Sequence, residues 1–553
     1  MNGAEIFIEC LKKCGINTIF GVPGVNVLPL FDQCQVNADC KIVTCKNESG
    51  AAYMADGYAR INGIGCCIGT TGPGISNMLT GIMASYYDSV PVIAVSAQVE
   101  EEEIGKYGIQ EMSGYGRTPD MMGIMRQITK MTYKINHAEQ IEKIIFEACR
   151  CALEGRKGPV YIEFSPRALL EYAELNYVAM CSSVNNYALK CDNGVIEKII
   201  NAVKTSKTPV MLIGNGCSEN EIEYVYYISK ALSIPIVSTA LTKRLFVENE
   251  NYLGCIGCYG NFKANTYFEK SDFILAIGVC FSYLTTAGWS FDIENKFLVR
   301  IDIEQEELNR NYIPTIAVET SAQNFLVQLS DYIREKEINL ENKIVVSQLS
   351  EIDNEQHLTL DNPIQYIEAI NEVSQRNVYY VIDVGQNAYW SERYLKVKQV
   401  NGLIMNGGMG AMGYGVAACI GVAEALKDQN KTAKTICICG DGGFLMNGLE
   451  VNTGKNCGSN VIWIVFENNT LGTQQAWAID NDMKYDCHIY NADIAGCAKS
   501  MGIDAYRVDN CKNFKIELDK AMKSKNPTLI CINLNENNRP VSFYCDGVVN
   551  INR

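Results

Sequence analysis

KTICICGDGGFLMNGLEVNTGKNCGSNVIWIVFENN, Lys434 to Asn469, is the stretch whose reading decides the fold. It opens on a short apolar run rich in β-branched residues and turns through Gly440-Asp441-Gly442-Gly443. It continues in a helix-compatible segment and closes on a second apolar run ending in Glu467-Asn468-Asn469. Strand, glycine turn, helix and strand in that order make a βαβ unit with parallel strands. Side by side, the carboxy-terminal strand ends face the crevice where open parallel sheets bind ligands. Asp441 and Asn468, 27 positions apart, then offer oxygens to one cation. Magnesium suits such a pair: it takes hard oxygen ligands, retains water and bridges protein groups to phosphate oxygens, while amides at a helix start attract the same anion. For the glycine run taken alone, a plain strand-to-helix turn is the alternative.

The same alternation of strand-like runs, helix-period segments and glycine turns extends through all 553 residues, more than one hydrophobic core accommodates. Three units are expected, each α/β with a parallel sheet flanked by helices: residues 1–175, 190–335 and 360–553, the last with a C-terminal tail. The first closes on PVYIEF, and polar text around SSVNNYALKCDN reads as a linker. PVMLIGNG, IPIVST, FILAIG and FLVRIDI give the middle unit a Rossmann-like pattern. A second polar segment, including EIDNEQHLTLDNP, precedes VYYVIDVG and the opening stretch.

Composition narrows the partners. With 47% hydrophobic and 20% charged residues the chain is that of an ordinary globular protein. A net charge of -15 argues against nucleic acid or an anionic membrane surface as partner. The start, MNGAEIFIECLKKCG, places Ile6, Phe7, Cys10, Leu11 and Cys14 on one helical face and reads as a packed helix rather than an export signal. No apolar run approaches the roughly 20 residues that span a bilayer, so a cytoplasmic protein without membrane contact is expected. The 24 cysteines then read as small buried hydrophobes. Cys255 and Cys258 form a C-x-x-C without a second ligand pair, and Glu100 to Glu103 read as a solvated face.

The GDG-to-NN segment resembles the signature of thiamine-diphosphate enzymes of the acetolactate synthase and pyruvate decarboxylase superfamily. The resemblance implies the thiamine-diphosphate-binding fold, magnesium held by Asp441, Asn468 and the carbonyl of Thr470, and a diphosphate cradle of Gly440, Gly442, Gly443, Leu471 and Gly472. CKNESGAAYMADGYAR resembles the segment whose glutamate activates the cofactor, here Glu48. It would bond N1' of the aminopyrimidine and promote removal of the C2 proton, with burial raising its pKa. An ordinary helix-start carboxylate is the alternative. Gly21-Val22-Pro23-Gly24 resembles the family's cofactor-contacting turn, which assigns Pro23 and Gly24 to the cofactor, and GTTGPGISNMLTGIMASYYDSVPVIAVSAQV resembles acetolactate synthases throughout. GGMGAMGYGVAACIGVA puts Met412 at the apolar wedge beneath the cofactor, with Gly410 C=O and Met412 N–H gripping the pyrimidine; core filler is the alternative. IDVGQNAYW implies that Gln386 and Asn387 lie on the phosphate side, and a surface turn is the alternative.

Reaction type depends on other positions. Val25 replaces the acidic residue of simple decarboxylases, and His137, His357 and His488 do not match their histidine pair. Gln110-Glu111 in YGIQEMSG resembles the glutamine-glutamate pair of acetolactate synthases, which makes Gln110 a catalytic candidate. Trp477 falls where those synthases shape the acceptor pocket, although a core or interface tryptophan is equally consistent. Cys280 and Leu284 stand where they carry arginines, one of which binds an acceptor carboxylate, and SGYGRTPD lengthens the loop after Glu111. CYGNFKANTYFEKSDFILAIG is similar to acetolactate-synthase-like proteins of varied role, including some that transfer a two-carbon unit to a sugar ketone. The expectation is a carboligase that decarboxylates a 2-oxoacid, pyruvate first, and passes the acyl anion to a carbonyl acceptor. The alternatives are a non-ligating decarboxylase or C–C lyase and an inactive cofactor-binding paralogue. The resemblance leaves room for FAD in the middle domain without residues that support it. It implies a homodimer, or a dimer of dimers (homotetramer), with active sites at the subunit interface.

Overall fold

The structure, a computed structural model, describes residues 1–540 apart from 38, 176–190, 248, 341–362, 375–376 and 490–491. Both expected linkers, His357 and the last thirteen residues of the C-terminal tail lie outside the described residues. Among the described residues eighteen strands form three six-stranded sheets, and all their pairings are parallel.

The first sheet holds β1 (Thr18–Gly21), β2 (Lys41–Thr44), β3 (Gly65–Ile68), β4 (Val92–Ala97), β5 (Met131–Ile135) and β6 (Val160–Phe164), ordered β2-β1-β3-β4-β6-β5. The second holds β7 (Pro209–Ile213), β8 (Ile236–Ser238), β9 (Tyr252–Cys255), β10 (Phe273–Ile277), β11 (Phe297–Asp302) and β12 (Ile316–Glu319), ordered β12-β11-β10-β7-β8-β9. That order reverses between β7 and β10, as in a Rossmann sheet. The third holds β13 (Val378–Ile382), β14 (Leu403–Met405), β15 (Lys434–Gly440), β16 (Val461–Glu467), β17 (Asp504–Val508) and β18 (Thr528–Asn533), ordered β14-β13-β15-β16-β18-β17. The outer sheets therefore share one topology, and each switches direction beside its first strand.

Helices cover both faces of these sheets, which is why their central strands read as unbroken apolar runs rather than alternating ones. The Gly3–Lys13 helix buries Ile6, Phe7, Cys10 and Leu11 as its periodicity requires. FLMNGLEVNTGKN divides into two helices, Asp441–Asn447 and Glu450–Cys457. The first and third domains meet through helices Glu48–Asn62 and Tyr414–Asp428. A Cβ on Gly57 would lie 2.3 Å from Ala418 O, and one on Gly421 would lie 1.9 Å from Met54 O. The two backbones therefore touch, and any side chain at either glycine would separate the domains.

The third domain also docks on the middle one through helix Gln386–Tyr394. Lys243 donates to the carbonyls of Ser391 and Glu392 at 3.4 and 2.5 Å, and Arg393 Nε to Gly260 O at 3.0 Å. Burial pushes the Glu392 carboxyl up from 4.5 to about 7 against the pull of Lys243 and Arg393. Its contribution to stability is thus fully present below the unfolded value and lost as pH rises through the folded one. That interval, from 4.5 to about 7, corresponds to about 3 kcal/mol. Glu392→Gln should melt above the wild type near about pH 8, with the difference closing by about pH 5, as thermal scans at the two pH values would register.

Candidate active site

Register builds the site. Gly440 of β15 pairs opposite Phe466 of β16, so the turns after both strands leave the sheet at one level. Asp441 Oδ2 accepts N–H groups of Asn468 and Asn469 at 3.0 and 2.7 Å, and Oδ1 accepts Gly442 N–H at 2.8 Å. Asn469 adopts a left-handed φ of 58°, which asparagine tolerates. Asn468 Oδ1 accepts Thr470 N–H at 3.2 Å. Asp441 is 4% exposed, and burial raises its pKa despite three amide donors. A cation relieves a desolvated carboxylate. Asp441, Asn468 and the Thr470 carbonyl offer the hard oxygens that magnesium takes.

Orphaned polar atoms surround this turn. Gln386 Oε1 and the Thr470 hydroxyl are buried with no hydrogen-bond partner among the described residues. A Cβ on Gly472 would lie 2.4 Å from Gln386 Oε1, so glycine there admits the amide. A free amide oxygen suits a hydrated magnesium diphosphate, whose metal-bound waters present hydrogens to it. Asn387 is placed differently from Gln386: its Nδ2 donates to Asp383 O at 2.7 Å and Ile438 O at 3.1 Å, tying the end of β13 to β15. On the other side, a Cβ on Gly442 would lie 2.7 Å from Leu471 Cδ2 and 3.1 Å from Met412 Cε. Met412, Leu471 and the glycine turn thus share one wall, and Gly410 sits at a left-handed φ of 65° with open space around it. The structure brings Gln386, Met412, Gly440, Asp441, Gly442, Gly443, Asn468, Thr470, Leu471 and Gly472 into one crevice.

A second group lies on the first domain. Glu48 opens its helix and accepts Asn77 Nδ2 at 3.0 Å. In the single chain it is half-buried. Asn77 belongs to helix Pro73–Tyr87, at whose start a Cβ on Gly72 would lie 2.7 Å from Gln110 Cβ. Gln110 is exposed, with a left-handed φ of 68°. Pro23 is exposed, a Cβ on Gly24 would lie 2.4 Å from Thr70 Cβ, and Val25 is 86% exposed. The residues flanking Glu48 reach Glu450 and Asn447 within the chain: Lys46 and Asn47 N–H donate to Glu450 Oε1, and Ser49 Oγ to Asn447 Oδ1 at 3.3 Å.

Of the pocket candidates, Leu284 is exposed with its carbonyl taking Cys258 N–H at 2.8 Å, and Trp477 is half-buried on helix Gly472–Asp480. Cys255 and Cys258 are buried, and burial pushes the Cys255 thiol up to about 12. His137 Nδ1 lies 3.3 Å from Glu171 Oε2. His488 pairs across from Thr470, but Asp486 and Glu536 take its two ring nitrogens.

Sequence reading missed Asp383 and Glu450. Asp383 is fully buried, pushed by burial to about 6, and accepts N–H groups of Gly413 and Gly415 at 3.1 and 3.0 Å. The available signal was an acid ending the apolar run of β13 two residues before a glycine, close to the pattern around Asp441.

The model of the thiamine pyrophosphate enzyme N-terminal TPP binding domain matches residues 1–116, that of the central domain 196–329 and that of the C-terminal TPP binding domain 383–532. A probable acetolactate synthase large subunit of Methanocaldococcus jannaschii is 31% identical, with 96% of this chain and 92% of that protein covered. The chain belongs to the thiamine pyrophosphate enzymes. Other relatives of this thiamine pyrophosphate enzyme are acetolactate synthase large subunits of Haemophilus influenzae and Lactococcus lactis, each 28% identical. They cover 97% and 100% of this chain and 94% and 96% of their own length. Among the described residues no helix is long and apolar enough to cross a membrane.

Proposed function

We propose that this thiamine-diphosphate-dependent enzyme decarboxylates a 2-oxoacid, pyruvate first, and adds the acyl anion to a carbonyl acceptor. The cofactor, when bound, supplies the electron sink that stabilises the carbanion. In this reading Asp441, Asn468 and the Thr470 carbonyl hold magnesium. The amides of Gly440, Gly442 and Gly443 face the diphosphate, with Gln386, Leu471 and Gly472 beside it; Asn387 supports that wall from behind. Met412 and Gly410 seat the aminopyrimidine, Pro23 and Gly24 approach its far side, and Glu48 shares a proton with N1'.

The Gln110–Glu111 corner carries the preference for ligation. Gln110 lies against the start of helix Pro73–Tyr87, whose Asn77 bonds Glu48, and has no proton to donate as an acid. Glu111 turns its carboxylate to Gly105 N–H at 2.7 Å and Ser113 hydroxyl at 2.5 Å, and these bonds hold it below the usual carboxylate range. An amide in place of an acid at this corner would disfavour protonation and so favour addition to a carbonyl. The segment 279–292 contains neither Lys nor Arg, so Leu284 favours an uncharged aldehyde or ketone acceptor, with Val25 and Trp477 as further walls. Leu445, Met446 and Leu449 leave an apolar face beside Asp441, 49, 59 and 64% exposed. That face supports a homodimer, or a dimer of dimers, in which the Glu48 edge of one chain meets the Asp441 crevice of another. A cytoplasmic setting accords with the free cysteines.

Mass spectrometry of products from isotope-labelled pyruvate, offered with oxoacid, aldehyde and keto-sugar acceptors, tests this reading. The expected product carries the labelled two-carbon unit joined to the acceptor, most efficiently to an uncharged one. Free acetaldehyde as the main product would replace ligation by simple decarboxylation. Absence of turnover in a chain that binds the cofactor would mark an inactive paralogue.

A further inference from the structure

The loop 406–413 carries Gly410 and Met412 and joins β14 to helix Tyr414–Asp428. Four of its eight residues are glycine, so an unrestrained loop would have much backbone freedom to lose on binding. Two buried carboxylates restrain it. Asp383 holds its far end through Gly413 and Gly415. At its near end stands Asp88, which comes from the first domain and is 4% exposed. Asp88 Oδ1 accepts Gly408 N–H at 3.0 Å, and Oδ2 accepts Gly407 N–H at 3.2 Å and Asn406 Nδ2 at 3.4 Å. Asn406 relays the hold, because its Oδ1 accepts Gly410 N–H at 3.1 Å.

Asp88 is itself fixed. Arg60 Nη2 donates to Asp88 Oδ2 at 2.8 Å and Arg60 Nε to Asp56 Oδ1 at 2.6 Å. Asp56 also accepts the hydroxyls of Ser85 and Tyr414 at 2.8 and 2.5 Å. From the middle domain, Asn215 Nδ2 donates to the Asp88 carbonyl at 3.1 Å. A Cβ on Gly408 would lie 2.6 Å from Tyr87 Cβ, so the loop lies directly against the first domain.

We propose that Asp88, acting through Asn406, is a positioning residue for the thiamine diphosphate site, fixing from another domain the loop that presents Gly410 and Met412. The inference rests on the assignment of those two residues to the aminopyrimidine. A carboxylate accepting consecutive glycine amides orders that loop before the cofactor arrives. The ordering cost is thus met on folding, and the ring is seated in the orientation that C2 proton removal needs.

The test compares Asp88→Asn and Asn406→Ala with the wild-type full chain by three readouts. These are thiamine diphosphate titration with magnesium, the C2 proton exchange rate of the saturated cofactor by NMR, and the thermal midpoint without cofactor. Both variants should slow C2 exchange by roughly 10- to 100-fold, and the double variant should add little to either. Asn406→Ala leaves the Arg60–Asp88 pair intact and should lower the thermal midpoint by only about 2–4 °C, so it decides the matter if Asp88→Asn fails to fold. Wild-type exchange in a cofactor-saturated Asn406→Ala chain overturns the inference alone. A wild-type chain that does not bind thiamine diphosphate overturns the assignment beneath it, and the inference with it.

Discussion

Asp441→Asn should leave the chain folded and weaken magnesium-dependent binding of thiamine diphosphate more than about 100-fold, which is about 2.7 kcal/mol or more. The carboxylate has two tasks in the crevice. It gathers the amides of Gly442, Asn468 and Asn469, and it keeps a charge that burial disfavours. An asparagine nitrogen would face at least one of those N–H donors and supply no anionic oxygen to a cation. Without cofactor the two effects offset each other in stability, since the variant loses acceptors but also loses the cost of a buried charge. Equilibrium titration with and without magnesium, beside a thermal scan, separates lost binding from lost folding. Cofactor affinity unchanged in the variant would remove Asp441 from the metal site.

Glu48→Gln should have the opposite profile. Cofactor binding should stay within about tenfold of wild type, because the phosphate end carries most of the charge-assisted contacts. C2 proton exchange should fall by about 10²- to 10⁴-fold, the range a positioned proton donor contributes. Glutamine preserves the bond from Asn77, since its side-chain oxygen still accepts, but it has no proton to share with N1'. NMR exchange on the saturated variant gives the answer, and a wild-type rate would leave Glu48 as a helix-start carboxylate only.

The βαβ core of the site was legible because it is local. Strand, turn and helix signals between Lys434 and Asn469 fix which residues end adjacent strands, and parallel pairing in register then brings Asp441 to Asn468. The Rossmann-like middle domain was legible for the same reason, although β9 and β12 are short strands that pattern alone did not single out. The clamp on the loop 406–413 was not legible. Asp88 and Gly408 are separated by 320 positions, and only the packing of two domains brings them to hydrogen-bond distance. Glu48 was singled out by motif, but its half-exposed setting depends on how the first domain packs, to which local sequence is blind. The proposed acceptor wall of Val25, Leu284 and Trp477 was not legible as a unit, because the three residues come from different domains rather than from one periodic segment.

Calorimetric titration of thiamine diphosphate into the metal-free chain, before and after magnesium is added, shows whether Asp441, Asn468 and Thr470 form a metal site. One site per chain is expected, with binding that appears only with magnesium and disappears again on chelation. Equal binding without the metal, or none with it, would contradict the assignment of Asp441, Asn468 and Thr470.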